Sequence, residues 1–372
     1  MIAKKTIPIY QLLEMKDTEK VLKEELKQYF EGHGQRLTML SKLVLSIIKM
    51  GTISYSVLSL VLNPLVKQSS NFKRIQRFVK GFKFCEGIYI EFVWKLFVKP
   101  KNWVALSVDR TNWKFGKCNI NILMIGISYK GTAIPLIWML LDKRGNSSQE
   151  ERIILMNKLL GYLNEDKKKQ VKCLLADREF IGKEWLRYLK NKSIIFFIRI
   201  RSNSLMRKIG KSKEIKVGDY FSLSHFKVLR KKRILFDHEL YIGGQKIDDK
   251  EWLILISNTP ISKGKIYYGE RWGIEVLFGA CKTRGFNFED THVTNLDRIF
   301  NLVFLIAIAF IWALKTGEWL IKKGHRIPIK NLKTRKAKLF SIFRIGLDHL
   351  RVILLNFMNL FDEIKLLSCT YS

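Results

Sequence analysis

Tyr268, Arg271, Glu275 and Lys282 stand at offsets of 0, 3, 7 and 14 along the chain. At about 100° per residue, these positions fall within about 60° of one another on a helix. Such a face carries one carboxylate, two cations and an aromatic hydroxyl. A lone acid among cations suits a site that holds a metal ion and grips an anionic backbone. Two further acids stand out by position. Asp109 lies in Ser107-Val108-Asp109-Arg110 and Asp177 in Leu174-Leu175-Ala176-Asp177-Arg178, each closing a strand-like apolar run. Alone, an acid after a strand is often a turn residue or a helix cap. Together, and with Glu275 on a basic face, the two point to three carboxylates meeting at one sheet edge. Such a cluster repels itself unless cations fill it, and oxygen donors select hard ions such as Mg²⁺ or Mn²⁺. Two such ions would activate a water or a 3′-hydroxyl and stabilise the leaving oxygen of an in-line displacement at phosphorus.

The composition favours a polyanionic partner. The chain has 67 Lys and Arg against 33 Asp and Glu, a formal net charge of +34. That charge opposes compaction through self-repulsion and makes sense beside nucleic acid, where phosphate neutralisation releases counterions. A solvated basic surface, as in ribosome-associated proteins, is the bland alternative. Trp272, next to Arg271, suits stacking on a base or on strained nucleic-acid backbone, or packing in a core. Arg178 suits a phosphate contact or a structural ion pair. Cys85, Cys118, Cys173, Cys281 and Cys369 form no C-x-x-C pair, so neither a zinc ribbon nor a disulfide framework is indicated, and a reducing cytoplasm fits. The histidines show no metal-ligand spacing. No glycine-rich phosphate loop appears, so no nucleotide cofactor is expected. The early acids Glu14, Asp17 and Glu19 leave no apolar signal core. The longest apolar run, Leu302 to Leu314, has 13 residues, short of the ~20 that span a bilayer. It reads as a buried helix, and no membrane partner is expected.

A chain of 372 residues is too long for one ordinary core and predicts two or three domains. Leu37, Leu40, Val44, Ile47 and Ile48 recur at helical period over Gln35–Lys49, and Gly51 ends the run. A second helix follows over Ser54–Leu62, stopped by Asn63-Pro64. A third starts at Ser69 or Ser70 as N-cap. It carries Lys73, Arg74, Arg77 and Lys80 on one face, which reads as DNA end recognition or as a solvated face. The texture changes at Lys99-Pro100. Strands are predicted over Val104–Asp109, Asn119–Tyr129 and Thr132–Leu141. Ser147-x-x-Glu150 and Ser148-x-x-Glu151 both have the capping-box form and open a helix through Leu163. A strand over Val171–Ala176, a helix over Lys183–Lys190 and a strand over Ile194–Ile200 complete the order β-β-β-α-β-α-β. Residues 201–258 alternate with period 2 and are crowded with Lys and Arg, with Gly243-Gly244 marking a turn. One helix is predicted over Lys265–Thr283 and an apolar helix from Ile299. A basic tail then carries Lys322, Lys323, Lys330, Lys333, Arg335, Lys336 and Lys338, and an amphipathic helix covers Asp348–Leu367. The division expected is a helical DNA-binding domain (1–98), a first part of the core (99–200) and a β-rich basic insertion (201–258). The second part of the core with the Glu-bearing helix (259–318) and a basic helical tail (319–372) follow.

These residues resemble those of the IS4-family insertion-sequence transposases, which carry a DDE triad on a ribonuclease H-like fold. Tyr268, Arg271, Glu275 and Lys282 match that family's Y-x2-R-x3-E-x6-K signature without gaps. Asp109-Arg110-Thr111-Asn112-Trp113 looks like its first catalytic strand and the turn after it. Asp177-Arg178-Glu179-Phe180 looks like its second Asp motif, and the β-rich stretch before Glu275 is similar too. The resemblance runs from about Leu37 to Leu314. It implies an α/β fold: a ribonuclease H-like mixed sheet core with a β-rich insertion and an all-α N-terminal DNA-binding domain. It implies that Asp109, Asp177 and Glu275 bind two Mg²⁺ or Mn²⁺ ions, and that Tyr268, Arg271 and Lys282 hold phosphates at the transposon end, near a flipped base. It further implies a DNA transposase that binds terminal inverted repeats of double-stranded DNA, cuts at them, and joins 3′-hydroxyls to target DNA as a homodimer. Such a protein would work in the bacterial cytoplasm, with the nucleoid when bound to DNA. The stretch after Gly317 is short beside that of members whose longer C-terminal region pairs two subunits, so pairing here would use other surfaces. A nuclease of the same fold that does not join, and a non-catalytic DNA-binding repressor of transposition, are the rival readings.

Overall fold

Apolar residues at helical spacing set the first elements. α1 (Thr18–Lys27), α2 (Gly34–Met50), α3 (Tyr55–Val61) and α4 (Gln68–Gly81) follow one another in a computed structural model. It describes residues 18–30, 34–221, 225–248, 251–331 and 336–369, without the side chains of Thr18, Val21, 330–338 and 356–369. Lys333 and Arg335 of the basic tail lie outside the described residues. α2 buries Leu37, Leu40, Val44, Ile47 and Ile48. α4 starts earlier than Ser69 or Ser70. Lys67 is its N-cap residue and its carbonyl already accepts from the N–H groups of Ser70 and Asn71, so both serines sit inside the first turn. α4 turns Ile75 and Val79 inward and leaves Lys73, Arg74, Arg77 and Lys80 exposed.

After α5 (Glu86–Phe97) the chain turns to strands: β1 (Val104–Phe115), β2 (Cys118–Tyr129) and β3 (Thr132–Leu140). They form an antiparallel meander. α6 (Gln149–Tyr162) opens with Ser148 and Glu151 capping each other, while the Ser147 hydroxyl instead accepts from Arg152. A short α7 (Glu165–Gln170), capped by Asn164, is an addition to the expected order. β4 (Val171–Ala176), α8 (Lys183–Asn191) and β5 (Phe196–Arg199) follow. β4 lies parallel to β1, and β5 parallel to β4. The order β3-β2-β1-β4-β5, with β2 antiparallel, is the arrangement expected of a ribonuclease H-like core.

The basic stretch extends this sheet. β6 (Leu205–Lys208), β7 (Glu214–Lys216), β8 (Lys227–Val228), β9 (Arg233–Leu235), β10 (His238–Lys246) and β11 (Trp252–Ser257) continue it, and β11 pairs with β5. Gly243 and Gly244 do not turn the chain. They lie inside β10, where an added Cβ would press on the rings of Phe226 and Phe221. The turn is at Phe236 and Asp237, both at positive φ (50° and 62°), the two-residue loop that joins β9 to β10 with matching twist.

α9 (Gly264–Glu270), α10 (Trp272–Cys281), α11 (Leu296–Lys322), the pair β12 (Ile329–Asn331) and β13 (Lys336–Lys338), and α12 (Ile342–Cys369) complete the chain. It clusters into two compact units: Met1–Ile88 with Gly279–Ser372, and Tyr89–Phe278. The first boundary thus falls before residue 98. Most of α5 belongs with the sheet because Tyr89 packs edge-on against Trp138, its hydroxyl donates to the Pro135 carbonyl at 2.7 Å, and Phe97 meets Tyr129. The second unit runs through the basic strands without a break, since they share the sheet's ladders. α11 joins the first unit, packing on α2, α4 and α12. Among the described residues, α11 is by length and composition the one single helix that would suffice to cross a membrane, but 89% of its most apolar window is buried within the protein. It is a core helix.

Asn301 of α11 donates its side-chain amide to the carbonyls of Val79 (2.9 Å) and Phe82 (3.0 Å), tying α11 to the end of α4. Asn301→Leu strands both carbonyls and should lower unfolding free energy by about 1–3 kcal/mol, read from urea denaturation. An unchanged midpoint would mean the tie contributes nothing.

Candidate active site

The parallel ladder between β1 and β4 ends at the pair Val108–Ala176. Asp109 and Asp177 are therefore the next residues on two neighbouring strands. β1 does not stop at Asp109 as the sequence predicts. It runs on to Phe115 because β2 keeps pairing with it as far as Cys118. Asp109 closes the β1–β4 ladder only.

The single helix predicted over Lys265–Thr283 is two. Arg271 keeps a helical backbone, yet its N–H bonds to the Tyr268 carbonyl and its own carbonyl accepts from Ile274, both three-residue steps. The turn tightens there to 3-10 geometry, which separates α9 from α10. α10 crosses the start of β3 so closely that a Cβ on Gly273 would collide with the Thr132 carbonyl. Glycine thus permits the approach that sets the position of Glu275. α10 ends at Cys281, so Lys282 lies past the helix and does not continue its face. Lys282 pairs with Glu289 at 2.6 Å.

The structure brings Asp109, Asp177, Tyr268, Arg271 and Glu275 together. Arg271 Nη1 donates to Asp109 Oδ2 at 3.3 Å, and Nη2 donates to Glu275 Oε1. The Tyr268 hydroxyl donates to Asp177 Oδ1 at 3.2 Å. The Tyr268 ring is buried with Ala105, Cys173, Leu175 and Phe197, and Arg271 is only 6% exposed. Both side chains thus point at the carboxylates rather than outward at a ligand. Arg271 Nε is buried without a partner.

Burial raises the Asp109 carboxyl to about 6. The Arg110 N–H and Arg271 oppose the rise, and the charges of Glu179 and Glu275 add to it. Burial works against the charge of Arg271, but Tyr268, Glu275, Asp177 and Asp109 together hold it protonated above its ordinary range. The Tyr268 phenol is pushed up, chiefly by burial, so it stays a neutral donor.

The other candidates fall elsewhere. Trp272 is exposed at 61%, so it is not a core residue. Arg178 is exposed and lines a recess of about 510 Å³ with Arg199, Arg201, Asn203 and Trp252. Lys73, Arg74 and Arg77 belong to the first unit, where Arg74 and Arg77 share a recess of about 600 Å³ with Arg36 and Lys42 of α2. These two α2 cations, Arg199, Arg201 and Trp252 are not among the residues that the sequence motifs mark. The run Phe197-Ile198-Arg199-Ile200-Arg201, with arginines alternating off the end of a buried strand, was a usable signal for the sheet edge. Arg36 and Lys42 are six apart on one helix and carry no such signal.

The transposase DDE domain model matches residues 107–312, more than half of the 372 residues, and spans Asp109, Asp177 and Glu275. The chain belongs to the transposase DDE domain family. No curated protein matches it. Among solved structures, it is similar to the piggyBac transposase in a cryo-EM synaptic complex with hairpin DNA. The identity is 14% and the TM-score 0.44, over 94% of this chain and 80% of that one. A likeness that distant assigns no role to any residue.

The donor set of this DDE domain suits a hard divalent ion. Its carboxylates are oxygen donors whose mutual repulsion needs positive charge. The guanidinium of Arg271 bridges Asp109 and Glu275, as that charge balance demands. The three carboxylates predicted from sequence do not come within reach of one shared ion. Among the described residues, no three acid, histidine or cysteine side chains stand close enough to share one ion.

Asp109 gives this transposase domain a pH signature. Its folded pKa of about 6 lies above the ordinary 3.8, so folding favours the protonated form. That stabilisation is complete below about pH 4 and is lost as pH rises through 6. In Asp109→Asn the group cannot ionise. Thermal midpoints of the variant should therefore gain on wild type between pH 4 and 7; a constant difference would refute the shift.

Proposed function

We propose that this DDE-domain protein is a transposase of the IS4 type. It binds the terminal inverted repeats of its element, cleaves donor DNA there, and joins the 3′-hydroxyl ends to target DNA, working as a homodimer that holds both ends. The observation that carries this reading is that Asp109 and Asp177 directly follow the last pair of one parallel ladder, with Glu275 linked to Asp109 through Arg271. Asp109, Asp177 and Glu275 would hold Mg²⁺ or Mn²⁺. Bound there, two such ions supply a polarised nucleophile and charge stabilisation at the phosphoryl oxygens.

The protein's own residues do the rest. Arg271 neutralises the cluster. To touch a DNA phosphate, it must give up a carboxylate, and the phosphate replaces one anion by another. Tyr268 keeps one oxygen of Asp177 oriented. Arg178 and Arg201, exposed beside Trp252, suit the sugar-phosphate backbone with a base stacked on an aromatic face. Trp272 has the exposure that stacking requires. Lys282 would contribute a phosphate contact in exchange for Glu289. In the first unit, Lys73, Arg74 and Arg77 would track the duplex backbone. The net charge of +34 fits this partner.

Two measurements test the reading. Purified protein is given Mg²⁺, the inverted-repeat DNA flanking its coding sequence pre-cut at the 3′ end, and a plasmid target. Joined product should appear with wild type and fall at least about 100-fold in Asp109→Ala and in Glu275→Gln, with DNA affinity retained. Metal-dependent nicking without joining would favour the nuclease; binding alone would favour the repressor. Separately, Arg74→Ala with Arg77→Ala should lower the slope of log affinity against log salt by about 1.8, at ~0.9 per phosphate contact. An unchanged slope would remove α4 from the interface.

A further inference from the structure

Past the pair Val108–Ala176, no backbone ladder joins β1 to β4, yet the carboxylates of Asp109 and Asp177 lie just there. Something else must hold their spacing. Arg110, next to Asp109, reaches across to Glu179, two residues beyond Asp177. Its guanidinium forks on to the carboxylate, Nε to Oε1 at 3.2 Å and Nη2 to Oε2 at 3.3 Å. The remaining donors are also used. Nη1 bonds the side-chain oxygens of Asn112 (3.2 Å) and Asn121 (3.3 Å), and Nη2 bonds that of Asn146 (3.1 Å). A guanidinium has five N–H groups, and here each has an acceptor. The Arg110 side chain is 10% exposed. It has no donor to spare for DNA, in contrast to Arg178.

The acceptors come from separate segments. Asn112 is on β1 and Asn121 opposite it on β2. Asn121 is buried, and its amide donates to the carbonyls of Lys143 (3.2 Å) and Gly145 (3.0 Å), which fixes the loop that presents Asn146. Glu179 is on the loop after β4, which is pinned again where Arg152 Nη1 donates to the Ile181 carbonyl at 3.0 Å. Side chains alternate along a strand, so Arg110 and Asp109 leave β1 on opposite faces. The pair therefore grips from behind and does not compete for the Asp109 carboxylate. The Arg110 N–H, on the same peptide, donates to Asp109 Oδ1 at 2.7 Å.

We infer that Arg110 and Glu179 are positioning residues: their forked ion pair replaces the missing ladder and sets the spacing of the Asp109 and Asp177 carboxylates. The inference rests on the catalytic reading of those two acids. A lysine at 110 keeps the charge but cannot fork, and a glutamine at 179 keeps the shape but not the charge.

The test compares wild type, Asp109→Ala, Arg110→Lys, Glu179→Gln and the double variant Arg110→Gln with Glu179→Gln. The probe is a labelled duplex carrying the flanking inverted-repeat end, with Mg²⁺. Circular dichroism fixes an assay temperature at which all are folded. Turnover at saturating DNA should fall about 10- to 100-fold in each single variant, as expected for a sub-ångström to ångström misplacement. The half-saturating DNA concentration should stay within about twofold. The double variant should be no worse than the worse single, since it leaves no uncompensated charge. Single variants with wild-type turnover would overturn the inference, as would a rise in half-saturating DNA at constant turnover, which would make Arg110 a DNA contact. An active Asp109→Ala would sink the catalytic reading itself. An inactive Asp109→Ala beside a normal Glu179→Gln would sink only the clamp.

Discussion

Like charges brought together at the end of a sheet set the terms for the second unit. Asp109 and Asp177 follow the last rung of one ladder with Glu275 nearby, and burial, with the charges of Glu179 and Glu275 adding to it, raises the Asp109 carboxyl to about 6. A cluster of that kind persists only if positive charge enters it. Arg271 supplies it from the tight turn between α9 and α10, bonded to Asp109 and Glu275 at once. The turn, the glycine that lets α10 approach β3, and the ring of Tyr268 packed beneath all serve that one placement.

The same electrostatics separate two kinds of arginine near the site. Arg110 and Arg152 are consumed by protein acceptors: Arg110 by Glu179 and three asparagines, Arg152 by Ser147 and the Ile181 carbonyl. Arg178 and Arg201 are exposed at a recess. Spent guanidiniums hold the scaffold; exposed ones are available to a polyanion. The excess of cations over acids therefore does not translate evenly into nucleic-acid contacts. Arg271 stands between the classes, buried and bonded, but to groups whose charge a metal ion or a phosphate would rebalance.

Much of the core was legible in the chain. The apolar runs of β2, β3, β4 and β5 and the Ser148–Glu151 cap appear where period and capping chemistry put them, because each depends on a few neighbouring residues. Elsewhere packing overrules the local signal. Gly243-Gly244 looks like a turn in isolation, but Phe221 and Phe226 need that space inside β10. The 14-residue spacing from Tyr268 to Lys282 looks like one helical face, but the chain tightens at Arg271 and leaves the helix at Cys281.

By itself, the sequence determined which residue types stood ready: three acids at strand and helix positions, an aromatic hydroxyl and an arginine three residues apart, and a surplus of cations. It also determined the strands that carry two of those acids, because alternation and apolar runs are properties of adjacent residues. Only the tertiary structure decided that Asp109 and Asp177 are neighbours past the last rung of one ladder. Only there did Arg271 turn inward to Asp109 and Glu275, and Arg110 spend its donors on Glu179. Those outcomes depend on distances between residues up to 162 positions apart, which are fixed by how sheets pair and helices pack and not by any pattern along the chain.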